Sequence, residues 1–129
     1  MTDSRNLSGS KGQTKNELLE RRMLVFAAET IRTLKKHPSL PRSVVDQLTR
    51  SAASVGANYA EACNAASRMD FRNKIFIAKK ETAESRYWID LCIELTEDKD
   101  SWSWCRAESQ ELLLILQTVI NSLASRSAK

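Results

Sequence analysis

Turn-forming residues are nearly missing from this chain. Its 129 residues hold three glycines and two prolines, too few for the repeated tight turns of a sandwich or a barrel, and no glycine-rich loop offers a phosphate cradle. Long elements are the alternative, and apolar spacing identifies them as helices. Over residues 14–36, Leu24, Ala27, Ala28, Ile31 and Leu34 recur at helical spacing. Thr14 with Glu17 forms a candidate capping box, and His37-Pro38-Ser39-Leu40-Pro41 stops the helix. A second helix spans 41–66, with Pro41 suited to a first turn. It is rich in Ala and Ser, and its Gly56 is expected to mark close helix contact, since glycine in an exposed helix interior costs roughly 1 kcal/mol relative to alanine. Ser67 and Asp70 imitate a capping box at the head of a third helix, 68–97; Ser101 or Ser103 is the expected cap of a fourth, 103–123.

These segments predict an all-α, antiparallel up-down-up-down four-helix bundle over residues 14–125, a disordered or adventitious tail over 1–13, and a frayed tail over 126–129. About two-thirds of the extended chain's surface is buried at this length, so no metal or disulfide staple is required. Cys63, Cys92 and Cys105 are odd in number and widely spaced, which suits small buried side chains in a reducing compartment. The first residues lack a signal-peptide pattern, and apolar runs such as Leu112–Leu116 fall far short of the ~20 residues that span a bilayer. A cytoplasmic protein with no membrane partner is expected.

The third helix carries the most informative pattern. With Phe71 at 0° and 100° per residue, Phe71, Ile75, Ala78, Thr82, Ile89 and Ile93 lie within about 40° of the origin, a core stripe. Ile77, Trp88, Leu91 and Leu95 occupy a second sector, and Phe76, Ala83 and Tyr87 a third. A lone bundle hides one broad face per helix, so the surplus predicts association of copies into a closed homo-oligomer. Phe76, Ile77, Tyr87, Trp88, Leu91 and Leu95 are the interface candidates. The alternative is a thick core with scattered exposed aromatics. Charge is lopsided along the same helix: residues 68–80 hold five bases and one acid, and residues 81–100 hold seven acids and two bases.

Enzymatic chemistry finds little support. His37 is the single histidine and stands beside a proline at a helix end, while Glu81-x-x-Glu84 lacks the histidines of di-metal bundles. No catalytic group, metal, cofactor or small-molecule substrate is expected. Arg50, Ser54, Asn58, Glu61, Lys80, Glu81 and Glu84 are candidates for a polar network that fixes helix register or subunit orientation. Arg68, Arg72, Lys74 and Lys79 are candidates for nucleic-acid contact, although a formal net charge of +4 is modest for that role. A scaffold or adaptor and a structured-RNA binder therefore remain open as functions.

Two segments also resemble a known family. QLTRSAASVGANYAEACNAASRMDF runs from Gln47 to Phe71, and KIFIAKKETAESRYWIDL from Lys74 to Leu91. Together they are similar to the four-helix-bundle family of the 23S rRNA intervening-sequence protein, also described as ribosomal-protein-like. The most specific match is Lys80-Glu81, Glu84 and Tyr87-Trp88; Arg50 to Ser54, and Asn58 with Glu61, add to it. The resemblance covers roughly residues 16–123 and implies a homopentamer. Genes of this family can lie inside 23S rRNA insertions, and the distantly similar accessory protein of diversity-generating retroelements binds nucleic acid and a reverse transcriptase. The family's Asn-Ile-Ala-Glu-Gly element reads Asn58-Tyr59-Ala60-Glu61-Ala62 here, so the turn is expected later, near Ser67. Trp102 and Trp104 lack a clear family counterpart and are expected to cap the bundle end.

Overall fold

The computed structural model describes residues 12–127. Four helices follow one another: α1 (Lys15–Lys35), α2 (Arg42–Cys63), α3 (Arg68–Thr96) and α4 (Lys99–Ser127). Each packs on its sequence neighbours, and α1 closes the bundle against α4 through the least extensive of these contacts. The expected disordered tail over 1–13 falls mostly outside the described residues, as does the end of the 126–129 tail.

Local chemistry accounts for the helix ends. The Thr14 hydroxyl accepts from the Glu17 amide at 3.0 Å, and the Glu17 carboxylate accepts from the Thr14 amide at 2.9 Å. This is the reciprocal box expected from the sequence. Ser67 accepts from the Asp70 amide at 3.0 Å, but only this half of its box forms, because an aspartate is one methylene too short to reach back. Helix α2 stops at Cys63 rather than Ala66, and Asn64 ends it. Helix α4 begins at Lys99, four residues before the expected start, since Asp98 rather than a serine caps it: its carboxylate accepts from the Ser101 amide and hydroxyl at 3.2 and 2.7 Å. The chain passes from α3 to α4 through Glu97 in the left-handed region (φ 52°), which permits a two-residue connection.

Met23, Phe26, Leu48, Val55, Ile75, Ile89, Trp102, Leu112 and Leu116 form the centre of the core. The inward stripe of α1 differs from the one expected. Met23, Phe26, Thr30, Thr33 and Leu34 are buried, whereas Leu24 is 58% exposed. Two threonines hid this stripe from a hydropathy reading, and the Thr33 hydroxyl satisfies itself by donating to the Glu29 carbonyl at 2.8 Å. Trp102 closes one end of the core, fully buried and stacked on the His37 ring at 5.7 Å. Trp104 is exposed instead. Cys92 and Cys105 are buried and Cys63 is half-buried, all as free thiols.

Gly56 marks the close contact expected of it. A Cβ there would stand 3.2 Å from the Cβ of Met23 and 3.6 Å from its carbonyl carbon. Because those atoms move only with the α1 backbone, Gly56→Leu should cost about 2–3 kcal/mol in urea unfolding; an unchanged midpoint would mean that α1 and α2 are free to separate. Asp98 supplies a pH-dependent prediction. Hydrogen bonds from the Ser101 hydroxyl, then from His37, hold its carboxyl down to about 2 from the usual 3.8. A depressed carboxyl stabilises the fold when ionised, so this contribution is complete above the ordinary carboxylate range and lost as pH falls through about 2. In acid titrations Asp98→Ala should flatten stability over that window.

Candidate functional site

Helix α3 has 29 residues and runs about 43 Å. Its inner line is Ile75, Ala78, Thr82, Ser85, Ile89 and Cys92, all buried. Ser85 and Cys92 belong to this line without having been marked by hydropathy. Phe71 and Ile93, expected in the core, are half-buried at its margin. On the far side Met69, Phe76 and Tyr87 form an outer ridge, with Leu95 beside its far end. Tyr87 is 61% exposed, Leu95 51% and Phe76 38%. The remaining interface candidates sit lower: Trp88 and Leu91 pack against the core margin, and Ile77 is half-buried.

The Tyr87 and Trp88 rings meet edge to face at 5.2 Å. The Trp88 indole N–H donates to the Glu84 carboxylate at 3.0 Å. Arg50 of α2 reaches across the same place, donating to Glu81 at 3.1 Å and to Glu84 at 2.5 Å. The indole bond first, then the Arg50 bond, lowers the Glu84 carboxyl from its ordinary range. Lys80 adds favourable charge without touching the carboxylate. Beneath this cluster Ser85 donates to Ser51 at 2.8 Å, with both residues buried.

The network candidates are thus brought together in part. Arg50, Glu81 and Glu84 join directly, whereas Ser54 and Asn58 donate to backbone carbonyls one turn back on α2. Glu61 instead holds Lys74 at 2.7 Å, near the head of α3. Of the basic candidates, Arg68 and Arg72 are exposed, Lys79 is half-buried, and Lys74 is taken by Glu61. The Arg72 guanidinium lies over the Phe76 ring, 4.9 Å from its centre.

Three cross-helix contacts had no sequence signal. Arg22 holds Glu108 at 2.7 Å, Arg106 holds Asp90 at 2.6 Å, and Arg86 donates to Gln110 at 2.6 Å. His37 is the expected helix-end residue, yet its ring also links the end of α1 to the α3–α4 connection. Its nitrogens lie 3.0 Å from the Thr33 carbonyl and 3.0 Å from the Asp98 carboxylate. Among the described residues, no group of three His, Cys, Asp or Glu side chains gathers where it could hold a metal, and no helix is long and apolar enough to cross a membrane.

The family model of the 23S rRNA-intervening sequence protein matches residues 17–118, a span that enters all four helices. The chain belongs to that family. A similar member of known structure is a protein of unknown function from the S23 ribosomal protein family of Bacteroides thetaiotaomicron VPI-5482, solved at 1.70 Å. It is 31% identical, with 78% of this chain and 96% of that chain covered and a TM-score of 0.71. No curated protein matches the chain. The four-helix bundle expected from the resemblance is the fold this chain adopts, and the similarity to that solved structure extends over most of both chains.

The α2–α3 cluster makes a specific demand on this family member. Arg50→Met leaves two neighbouring carboxylates without their shared cation and should cost about 1–2 kcal/mol. Adding Glu81→Gln and Glu84→Gln should cost less than the separate effects summed. Strict additivity in chemical denaturation would show that the three side chains do not act as a unit.

Proposed function

We propose that this chain acts without catalysis, as an oligomeric helical-bundle scaffold or adaptor in the cytoplasm. The observation that carries this reading is the outer ridge of α3, where Phe76 and Tyr87 stand exposed on a helix whose opposite face already fills the core. Covering two such side chains stabilises association by roughly 3–5 kcal/mol. Aromatic residues are favoured at interface centres. A closed homo-oligomer disposes of the ridge on every copy, and five copies is the number that the family resemblance implies. In this reading Phe76, Tyr87 and Leu95 form the centre of the contact, with Ile77, Trp88 and Leu91 lining its base. Arg50, Glu81 and Glu84 hold α2 and α3 in register beneath it, with Ser54, Asn58, Glu61 and Lys80 alongside.

One observation favours structured RNA as a partner. Arg68 and Arg72 are exposed near the head of α3 and join no salt bridge among the described residues. Repetition of these residues and Lys79 around an oligomer would multiply phosphate contacts. The family's name refers to an intervening sequence of 23S rRNA. Lys74 contributes less here, being held by Glu61.

Light scattering across a dilution series tests the first reading. Tyr87→Ser with Leu95→Ser should shift the protein toward its 14.6 kDa single-chain mass, whereas Lys79→Ala should leave the assembled mass unchanged. A wild-type protein that stays at the single-chain mass would overturn the reading. For RNA, Arg72→Glu should weaken low-salt binding to a structured RNA and reduce the log–log salt slope by about 1. Unchanged affinity and slope would remove Arg72 from that surface.

A further inference from the structure

The ridge of α3 needs a receiving surface, and the bundle holds one that its own packing does not explain. Between α1 and α2 lies an open, mostly apolar groove of about 700 Å³. Its α2 wall carries Ala53, Gly56, Ala57 and Ala60, so no side chain longer than a methyl group stands in the way. Leu24 from α1 lies in it, 58% exposed, and Glu17 and Glu20 stand on its rim with Arg21. Gly56 already has a structural duty against Met23, but that contact gives no reason for exposed alanines at 53 and 57 or for a leucine left in water.

The ridge has the opposite form. Met69, 66% exposed, and Phe76 project from α3, flanked by Arg72 and Lys80, both exposed. Met69 and Phe76 are seven residues apart, as are Ala53 and Ala60, so knobs and gaps repeat at the same interval of about 10 Å. Bases border the knobs, and the groove's rim of Glu17, Glu20 and Arg21 has an excess of one acid. Groove and ridge lie on different helices, so each copy can offer both at once. A contact of this head-to-tail kind builds rings when its rotation closes.

We infer that the α1–α2 groove receives the Met69–Phe76 ridge of a second copy of this chain, with Glu20 facing Lys80 across the contact. The assignment rests on the oligomeric reading above and adds the surface on which the ridge seats. It makes association heterologous: the patch that gives and the patch that takes are different. Covering Leu24 and Met69 adds apolar area at this end of the ridge to that of Phe76, Tyr87 and Leu95, and the charges at the edge set orientation.

Sedimentation velocity over a concentration series tests it, with thermal unfolding as a control for the fold. Ala57→Trp fills the groove from an exposed position and should raise the half-assembly concentration at least tenfold. Glu20→Lys and Lys80→Glu should each raise it about tenfold, and the double variant should return to within about threefold of wild type, as expected for a direct charge pair. Two results overturn the inference: unchanged assembly of the folded Ala57→Trp protein, or a double variant as weak as the two single effects combined. If either occurs while Tyr87→Ser with Leu95→Ser still dissociates the protein, the groove assignment alone falls. A wild type that never assembles removes the oligomeric reading and this inference together.

Discussion

The α2–α3 seam governs the rest of the molecule. Ser51 and Ser85 meet hydroxyl to hydroxyl with no exposed surface, and Ala52, Ala78 and Thr82 are buried around them. Small side chains let two long helices lie close, and the buried hydroxyls are tolerated because each has a partner. This contact also fixes how α3 is rotated about its axis. Tyr87 follows Ser85 by two residues, about 200° around the helix, so a serine turned fully inward obliges the tyrosine to face out. Arg50 then spans the same seam from the solvent side and fixes Glu81 and Glu84 relative to α2. A larger apolar pair in place of Ser51 and Ser85 would separate the helices and turn the ridge at the same time.

Much of this was legible from residue pattern. The number of helices, the Thr14–Glu17 box and the close contact at Gly56 follow from local rules that depend on few neighbours. Where the sequence misleads, a polar side chain does a buried job. Thr30 and Thr33 face the core of α1, and a hydropathy stripe drawn through Leu24 therefore comes out rotated toward solvent. Ser85 was passed over for the same reason. The early start of α4 was concealed because Ser101 and Ser103 both read as caps, whereas His37 and Ser101 gather on Asp98 and make it the cap. Pairs such as Arg22 with Glu108 join residues 86 positions apart, and no spacing rule on one helix reveals them.

The candidate site was legible in composition more than in geometry. An excess of apolar groups on α3 was plain, but the structure divides them: Trp88 and Leu91 lean on the core, and Tyr87, Leu95 and Phe76 stand out from it. The basic group is divided as well. Lys74 is held by Glu61, while Arg72 rests on the face of Phe76. These divisions depend on which helix lies alongside, which α3 alone does not encode.

The placement of charge beside the aromatic pair bears on how the ridge would work as a contact. Flexible exposed side chains lose rotamer freedom when a partner covers them, at about 0.5–1.5 kcal/mol each. Trp88 has already lost much of that freedom, because its indole N–H is bound to Glu84 and Glu84 is bound to Arg50. Tyr87 lies edge-on against the held indole. In the proposed contact the network would do more than join α2 to α3: it would hold the base of the ridge before a neighbour arrived, so covered apolar area would be offset less by ordering. A polar cluster next to an exposed aromatic face is, on this view, one device with two ends, the charged end holding α2 to α3 and the aromatic end presented in a single orientation.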